Sequence, residues 1–258
     1  MILGLEVSAD HCSAALLQGG YCRLETSQSG RAADRLLPLV ERLIGDDGVD
    51  PSALQAIAFG AGPGGFTGLR VACAVAQGLG WAWQRPLIGV DSLAAIAWRM
   101  AQTPPGCDPH ANLGRQVAVA IDARMQEIYA GLYAVDLHGQ LTTLRAPWLA
   151  NASALQAELA LACNPPTAWA AAGDAFRVHA GLLAQPFLRV DAQLAPRADA
   201  IAWLGSQRLA AGEGLDPAQA APVYVRDKVA LNRDEQAQLR AARIAIVDRP
   251  SDTSAAQP

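Results

Sequence analysis

The order of patterned segments constrains this chain most. Ile2 to Val7 is an apolar run, His11 to Leu17 mixes polar and small apolar residues, Gly19-Gly20 sits where a hairpin turn belongs, and Tyr21 to Thr26 reads as a third strand. From Arg31 to Ile44 the residues Leu36, Leu37, Val40, Leu43 and Ile44 recur at helical spacing, with Arg35, Glu41 and Arg42 between them, which predicts an amphipathic helix. Ala56 to Gly60 then reads as a strand, Leu69 to Trp83 as a helix of small residues, Pro86 to Val90 as a strand and Asp91 to Met100 as a helix. Three meandering strands followed by alternating helices and strands predict a mixed sheet with helices packed on it.

The segment TPPGCDPHANLG, Thr103 to Gly114, breaks all periodicity and marks a lobe boundary. Beyond it Gln116 to Ile121, Glu127 to Val135 and Leu141 to Pro147 read as strands, and Ala152 to Ala162 as a helix. Ala168 to Ala172 reads as one more strand, Ala198 to Ala211 as a helix that carries the chain back, and Pro222 to Arg226 as a short extended piece. The expected organisation is a first lobe over 1–102, rejoined by 210–232, a second smaller α/β lobe over 103–209, and a disordered tail over 245–258 ending in DRPSDTSAAQP.

With 52% hydrophobic and 17% charged residues in a chain of 258, there is ample material for a large core, which excludes a disordered or coiled-coil protein. The net charge is −4 and the basic residues are scattered, so the chain is a poor electrostatic match for nucleic acid on its own. Five cysteines, Cys12, Cys22, Cys73, Cys107 and Cys163, form no C-x-x-C pair and read as reduced thiols. MILGLEVSAD lacks a basic n-region, and no apolar run reaches the roughly 18 residues that span a bilayer. A soluble cytoplasmic protein is expected.

The densest local signal is GAGPGGFTG, with five glycines from Gly60 to Gly68 between a strand and a helix. Glycines permit positive φ and close backbone approach, and the helix N-terminus beyond adds a positive dipole, so Gly62, Gly64, Gly65, Thr67 and Gly68 are candidate anion or nucleotide contacts. Thr67 is the candidate helix cap. No Lys follows, so this is no Walker A loop, and a tight connection without a ligand is an equally open reading.

Motifs for independent chemistry are missing. The histidines His11, His110, His138 and His179 are too far apart for a helical H-x-x-x-H metal pair, and no G-x-S-x-G elbow occurs. Asp122, Arg124 and Glu127 read as charges on a turn between two strands. A second phosphate loop would need Asp followed closely by Gly, and AAAGDAF around Gly173 and Asp174 fits this poorly.

The string Gly62-Pro63-Gly64-x-Phe66-Thr67-Gly68-Leu69-Arg70 closely resembles the signature of the TsaB (YeaZ) family. LGLEVSADHCSAAL (Leu3 to Leu16), AVAIDARMQEIYAGLY (Ala118 to Tyr133) and APVYVRDKVA (Ala221 to Ala230) agree with it, so the resemblance covers roughly residues 1 to 230. It implies an α/β, actin-like ATPase (ASKHA, ribonuclease H-like) fold of two lobes with mixed sheets flanked by helices. It also implies a non-catalytic relative of TsaD, the subunit that places threonylcarbamoyl on the tRNA adenosine beside the anticodon. The implied partners are TsaD, the ATPase TsaE through the complex, and tRNA only indirectly, with a homodimer in the absence of TsaD and no membrane. In place of the family's usual first-strand Asp, which helps position a metal on nucleotide phosphates, stands Glu6. No metal site and no catalytic residue is expected, no cofactor is expected to be strongly bound, and ATP or ADP belongs at the complex interface. The family pairs through its first two helices, so Leu36, Leu37, Val40, Ile44, Val71 and Val75 are candidate partner contacts. The competing reading is an enzyme acting alone, an ATP-dependent phosphotransferase or a glycoprotease-like peptidase, supported only by Glu6 and the glycine loop.

Overall fold

The chain builds one unit twice, as seen in a computed structural model that describes residues 1–8, 11–27, 31–45, 48–102, 115–179, 181–182 and 186–226. The first copy runs β1 (Ile2–Ser8), β2 (His11–Gln18), β3 (Tyr21–Ser27), α1 (Ala32–Gly45), β4 (Ala56–Gly62), α2 (Phe66–Trp83), β5 (Leu87–Asp91) and α3 (Ser92–Gln102). The second repeats it as β6 (Arg115–Arg124), β7 (Glu127–Val135), β8 (Leu141–Asn151), α4 (Ala152–Ala162), β9 (Trp169–Ala172), α5 (Ala175–Val178), β10 (Arg189–Asp191) and α6 (Ala198–Ala210).

Each copy makes a five-stranded sheet, ordered β3-β2-β1-β4-β5 and β10-β9-β6-β7-β8, the same order read from opposite edges. The meander strands pair antiparallel, whereas β1 with β4, β4 with β5, β6 with β9 and β9 with β10 pair parallel. Such parallel pairs need helical crossovers, and α1, α2, α4 and α5 supply them. This is the actin-like, ribonuclease H-like fold.

Strand periodicity decides which layer each residue joins. On β1, Leu3, Leu5 and Val7 pack under α1 and α2 with Leu36, Leu39, Leu43 and Phe59. The alternate residues Ile2, Gly4 and Glu6 point into the layer between the sheets, where α3 and α6 lie with Val117, Val119 and Tyr133 of the second sheet. Gly4 admits α6 onto β1, because a Cβ there would fall 2.3 Å from the Ala198 carbonyl oxygen. The outer face of the second sheet is closed by Leu155, Leu159 and Phe176.

Several expected boundaries move. β4 reaches Gly62, β6 reaches Arg124 and β8 reaches Asn151, because ladder pairing carries these strands past their apolar cores. α2 starts at Phe66, one turn before the expected Leu69. The short α5 and β10, four and three residues long, have no periodic pattern and were not expected. Met1–Val225 form one compact unit; of Arg226–Pro258 only Arg226 lies among the described residues. The expected break at 103–114 and tail at 245–258 lie outside them. No described helix is long and apolar enough to cross a membrane.

Candidate functional site

A cavity of about 510 Å³ opens between the copies, where the turn after β4 faces the ends of β6 and β9. Its near wall is Pro63, Gly64, Gly65 and Leu69, with Glu6, His11 and Ser92 beside them; its far wall includes Ile121, Asp122, Asp174 and Arg177.

The glycines of the near wall divide by task. Gly62 has φ +116 and a Cβ there would lie 2.7 Å from the Val223 carbonyl oxygen, so backbone geometry alone requires glycine. A Cβ on Gly68 would fall 2.6 Å from the Val7 carbonyl oxygen, so this glycine seats α2 on β1. Gly64 meets only ordinary contacts and Gly65 meets nothing within 4 Å, which leaves these two facing the cavity. Gly65 is also the N-cap of α2, with no side-chain cap bond. Thr67 is therefore not the cap: it lies within the first turn of α2 with its side chain exposed.

On the far wall, the backbone N–H of Asp122 donates to Asp174 Oδ1 at 2.8 Å, locking the turn after β9 onto β6. Gly173 holds φ +108 there, and a Cβ would sit 2.2 Å from the Ala120 carbonyl oxygen. His179 Nε2 lies 3.4 Å from Asp122 Oδ1, and an Arg124 guanidinium nitrogen lies 3.6 Å from Oδ2. Asp122 and Asp174 were not among the expected site residues. The signal that points to them is the duplication itself, which sets Gly173-Asp174 after β9 as Gly62 to Gly65 stand after β4.

Glu6 is drawn into the core. Its Oε2 lies 1.8 Å from where a Cβ on Gly60 would be, so the missing side chain at 60 makes room for this carboxyl. The Ser92 hydroxyl donates to Oε2 at 3.3 Å. Burial to 1% exposure pushes the Glu6 carboxyl up to about 8, opposed by the bonds from Ser92 and the Val7 backbone, so the group is largely protonated at neutral pH. The carboxyl is therefore held by the core, with Ser92 as its side-chain partner. Asp122, Asp174 and Arg177 line the same cavity as Gly64 and Gly65, so both signs of charge border the glycine turn.

Two other features bear on chemistry. Cys12, Cys22, Cys73 and Cys163 are free thiols, and burial pushes Cys12 and Cys22 up to about 11, which keeps both protonated near neutral pH. Among the described residues no group of three or more His, Cys, Asp or Glu is placed to hold a metal.

The expected partner contacts separate sharply by burial. Leu36 at 0% and Val40 at 3% belong to the core under α1, and this corrects their reading as contact residues: the broad apolar stripe is mostly spent on the chain's own sheet. Ile44, Val71 and Val75 are half-buried against the same core, while Leu37 is 44% exposed. Along α2 the residues Thr67, Arg70, Ala74, Gly78 and Trp81 are exposed at three- and four-residue steps, and Trp81 is 73% exposed. α2 thus presents the small residues Ala74 and Gly78 between Arg70 and Trp81, while α1 exposes Leu37 among Asp34, Glu41 and Arg42.

The model of the family "TsaD: tRNA N6-adenosine threonylcarbamoyltransferase" matches residues 27–159. The tRNA threonylcarbamoyladenosine biosynthesis protein TsaB of Escherichia coli (strain K12) is 31% identical over 238 residues, covering 89% of this chain and 96% of that one. A tRNA N6-adenosine threonylcarbamoyltransferase of Sphingopyxis alaskensis is 33% identical over 126 residues, 42% of this chain and 37% of that one. The crystal structure of a Pseudomonas aeruginosa protein described as similar to peptidase YEAZ superposes with a TM-score of 0.72 at 35% identity, covering 87% of this chain and 99% of that one. A duplicated ribonuclease H-like unit, the Gly62 to Arg70 string at its first strand-to-helix turn and near full-length similarity together place this chain in the TsaB (YeaZ) family.

Proposed function

We propose that this chain is a non-catalytic subunit of the machinery that makes threonylcarbamoyladenosine in tRNA. It binds a TsaD-type subunit through the exposed faces of α1 and α2, and with the ATPase TsaE supports transfer of threonylcarbamoyl from threonylcarbamoyl-adenylate to the adenosine next to the anticodon. The observation that carries this reading is the outward face of α2: the small residues Ala74 and Gly78 between Arg70 and a 73% exposed Trp81, with Leu37 exposed on α1, have the makeup of a helix-packing interface. A second copy of the chain covers the same face when the partner is missing.

The cleft supports the non-catalytic part. Glu6 is sequestered under Ser92, and Asp122 and Asp174 share the cavity of the glycine turn with Arg177, which supports ATP or ADP being held where a partner adds further cations. The net charge of −4 leaves the tRNA phosphates to that partner as well.

The test mixes the purified chain with the TsaD-type protein of the same genome and measures complex formation and tRNA modification. Leu37→Glu and Ala74→Glu are compared with wild type after circular dichroism shows both are folded. Binding by wild type and its loss in both variants supports the reading. A chain that never binds but hydrolyses ATP or peptides by itself refutes it.

A further inference from the structure

At the start of α2 an arginine is built into a clamp. The Arg70 guanidinium carbon lies 3.6 Å from the centroid of the Phe66 ring, and its Nε donates to the Tyr224 hydroxyl at 3.1 Å. Phe66 and Tyr224 also meet each other, ring centroids 5.5 Å apart. Tyr224 comes from 154 positions away and is anchored there: the Val223 N–H donates to the Ala61 carbonyl at 2.7 Å, and Gln77 Nε2 to the Ala220 carbonyl at 2.9 Å. Helix α2 is fixed in turn by the close approach of Gly68 to Val7.

The clamp is solvent-exposed, with Phe66 at 41% and Tyr224 at 45%, and no carboxylate among the described residues pairs with Arg70. An arginine with no carboxylate partner among the described residues, its plane fixed by a ring face and its Nε already satisfied, keeps both Nη groups for one planar acceptor. Loss of side-chain entropy on binding is small because the side chain is already ordered. Tyr, Arg and aromatic anchors are also the residue types that dominate binding energy at protein interfaces.

We propose that Arg70, held by Phe66 and Tyr224, is the polar anchor of the α2 face and takes an Asp or Glu carboxylate of the partner protein in a two-bonded pair. This rests on the reading of α1 and α2 as the face that binds a TsaD-type subunit. Charge complementarity selects the occupant: the fork is cationic, stands at the head of the Ala74–Gly78–Trp81 stripe, and belongs to a chain of net charge −4.

Titration calorimetry with the TsaD-type protein tests this on wild type, Arg70→Met, Arg70→Lys and Tyr224→Phe. Expected are a ~10- to 100-fold loss of affinity for Arg70→Met, incomplete rescue by Arg70→Lys, and a smaller loss for Tyr224→Phe. Carbodiimide coupling of the Arg70→Lys complex is expected to join the amine at position 70 to an acidic residue of the partner, read by mass spectrometry. If Arg70→Met binds within about twofold of wild type while Ala74→Glu does not bind, the anchor is wrong and the α2 face stands. If wild type itself does not bind, both fail. If Arg70→Met leaves the protein complex intact and weakens only its grip on tRNA, the fork takes phosphate and the carboxylate assignment is overturned.

Discussion

Replacing Glu6 by Gln should stabilise the protein, and by an amount that grows with pH. The carboxyl is 1% exposed, and burial lifts it from 4.5 to about 8, so the folded chain keeps a proton that the unfolded chain releases. A group raised on folding gives its full stability below the unfolded pKa and loses it as pH climbs to the folded one. Stability therefore falls between about pH 4.5 and pH 8 by roughly 1.4 kcal/mol per pH unit, and is flat above. By pH 7 the loss is on the order of 3 kcal/mol. Gln has nearly the same shape, can accept from Ser92, and does not titrate. Urea denaturation of both proteins in steps from about pH 5 to about pH 9 should show Glu6→Gln gaining on wild type across the neutral range and levelling off above pH 8. A gap that stays constant with pH, or one that narrows as pH rises, would refute the picture of a sequestered neutral acid.

Other consequences follow from burial and close approach. Leu36→Ala should cost ~2–5 kcal/mol in urea denaturation, because a fully buried leucine leaves a cavity, whereas Leu37→Ala should stay within ~0.5 kcal/mol and still weaken the partner complex. Gly4→Ala should destabilise by ~1–3 kcal/mol, since its methyl would lie 2.3 Å from the Ala198 carbonyl oxygen; an unchanged urea midpoint would deny that α6 seats on β1 this way. Tyr133→Phe removes a 2.6 Å bond to Asp91 Oδ2 and should cost about 1–3 kcal/mol. Burial already raises the Asp91 carboxyl, and without the Tyr133 bond that holds it down it should rise further, a shift carboxyl carbon NMR can follow.

Most of the fold was legible because the strands and long helices announce themselves by periodicity, as in Ile2 to Val7 or the amphipathic run of α1. What stayed hidden was local to the second copy. Val190 and its neighbours show no alternation because β10 is three residues long and is held by pairing with β9. The duplication was hidden too, since it lies in strand order and not in matching residues. Helix periodicity placed Leu36 and Leu37 on one stripe, yet one is at 0% and the other at 44% exposure, because a stripe records apolar positions without saying which surface covers them. For the cleft, the glycine loop was visible, but the reason for Gly60 was not: it is glycine because Glu6 lies across it, a contact between strands.

The two copies differ most in the helix that follows their fourth strand, and that difference fits the proposal that the chain docks through α2. After β4 the turn opens an 18-residue helix, long enough to close one face on the sheet and present the opposite one from Thr67 to Trp81. After β9 the equivalent turn opens a helix of four residues, which has no second face to present. Instead, Asp174 at its N-cap folds back to accept the Asp122 N–H, and this places carboxylates opposite the glycine turn of the first copy. One repeat therefore supplies a long helix with an exposed face and the other a cavity wall that carries Asp122, Asp174 and Arg177. Glu6 is buried beneath Gly60, while α2 exposes Phe66 and Trp81 and carries Arg70, which has no carboxylate partner among the described residues. If α2 docks the partner as proposed, substitutions on its exposed face should impair assembly well before substitutions in the cleft do, and binding of the two sets of variants to the TsaD-type protein checks this.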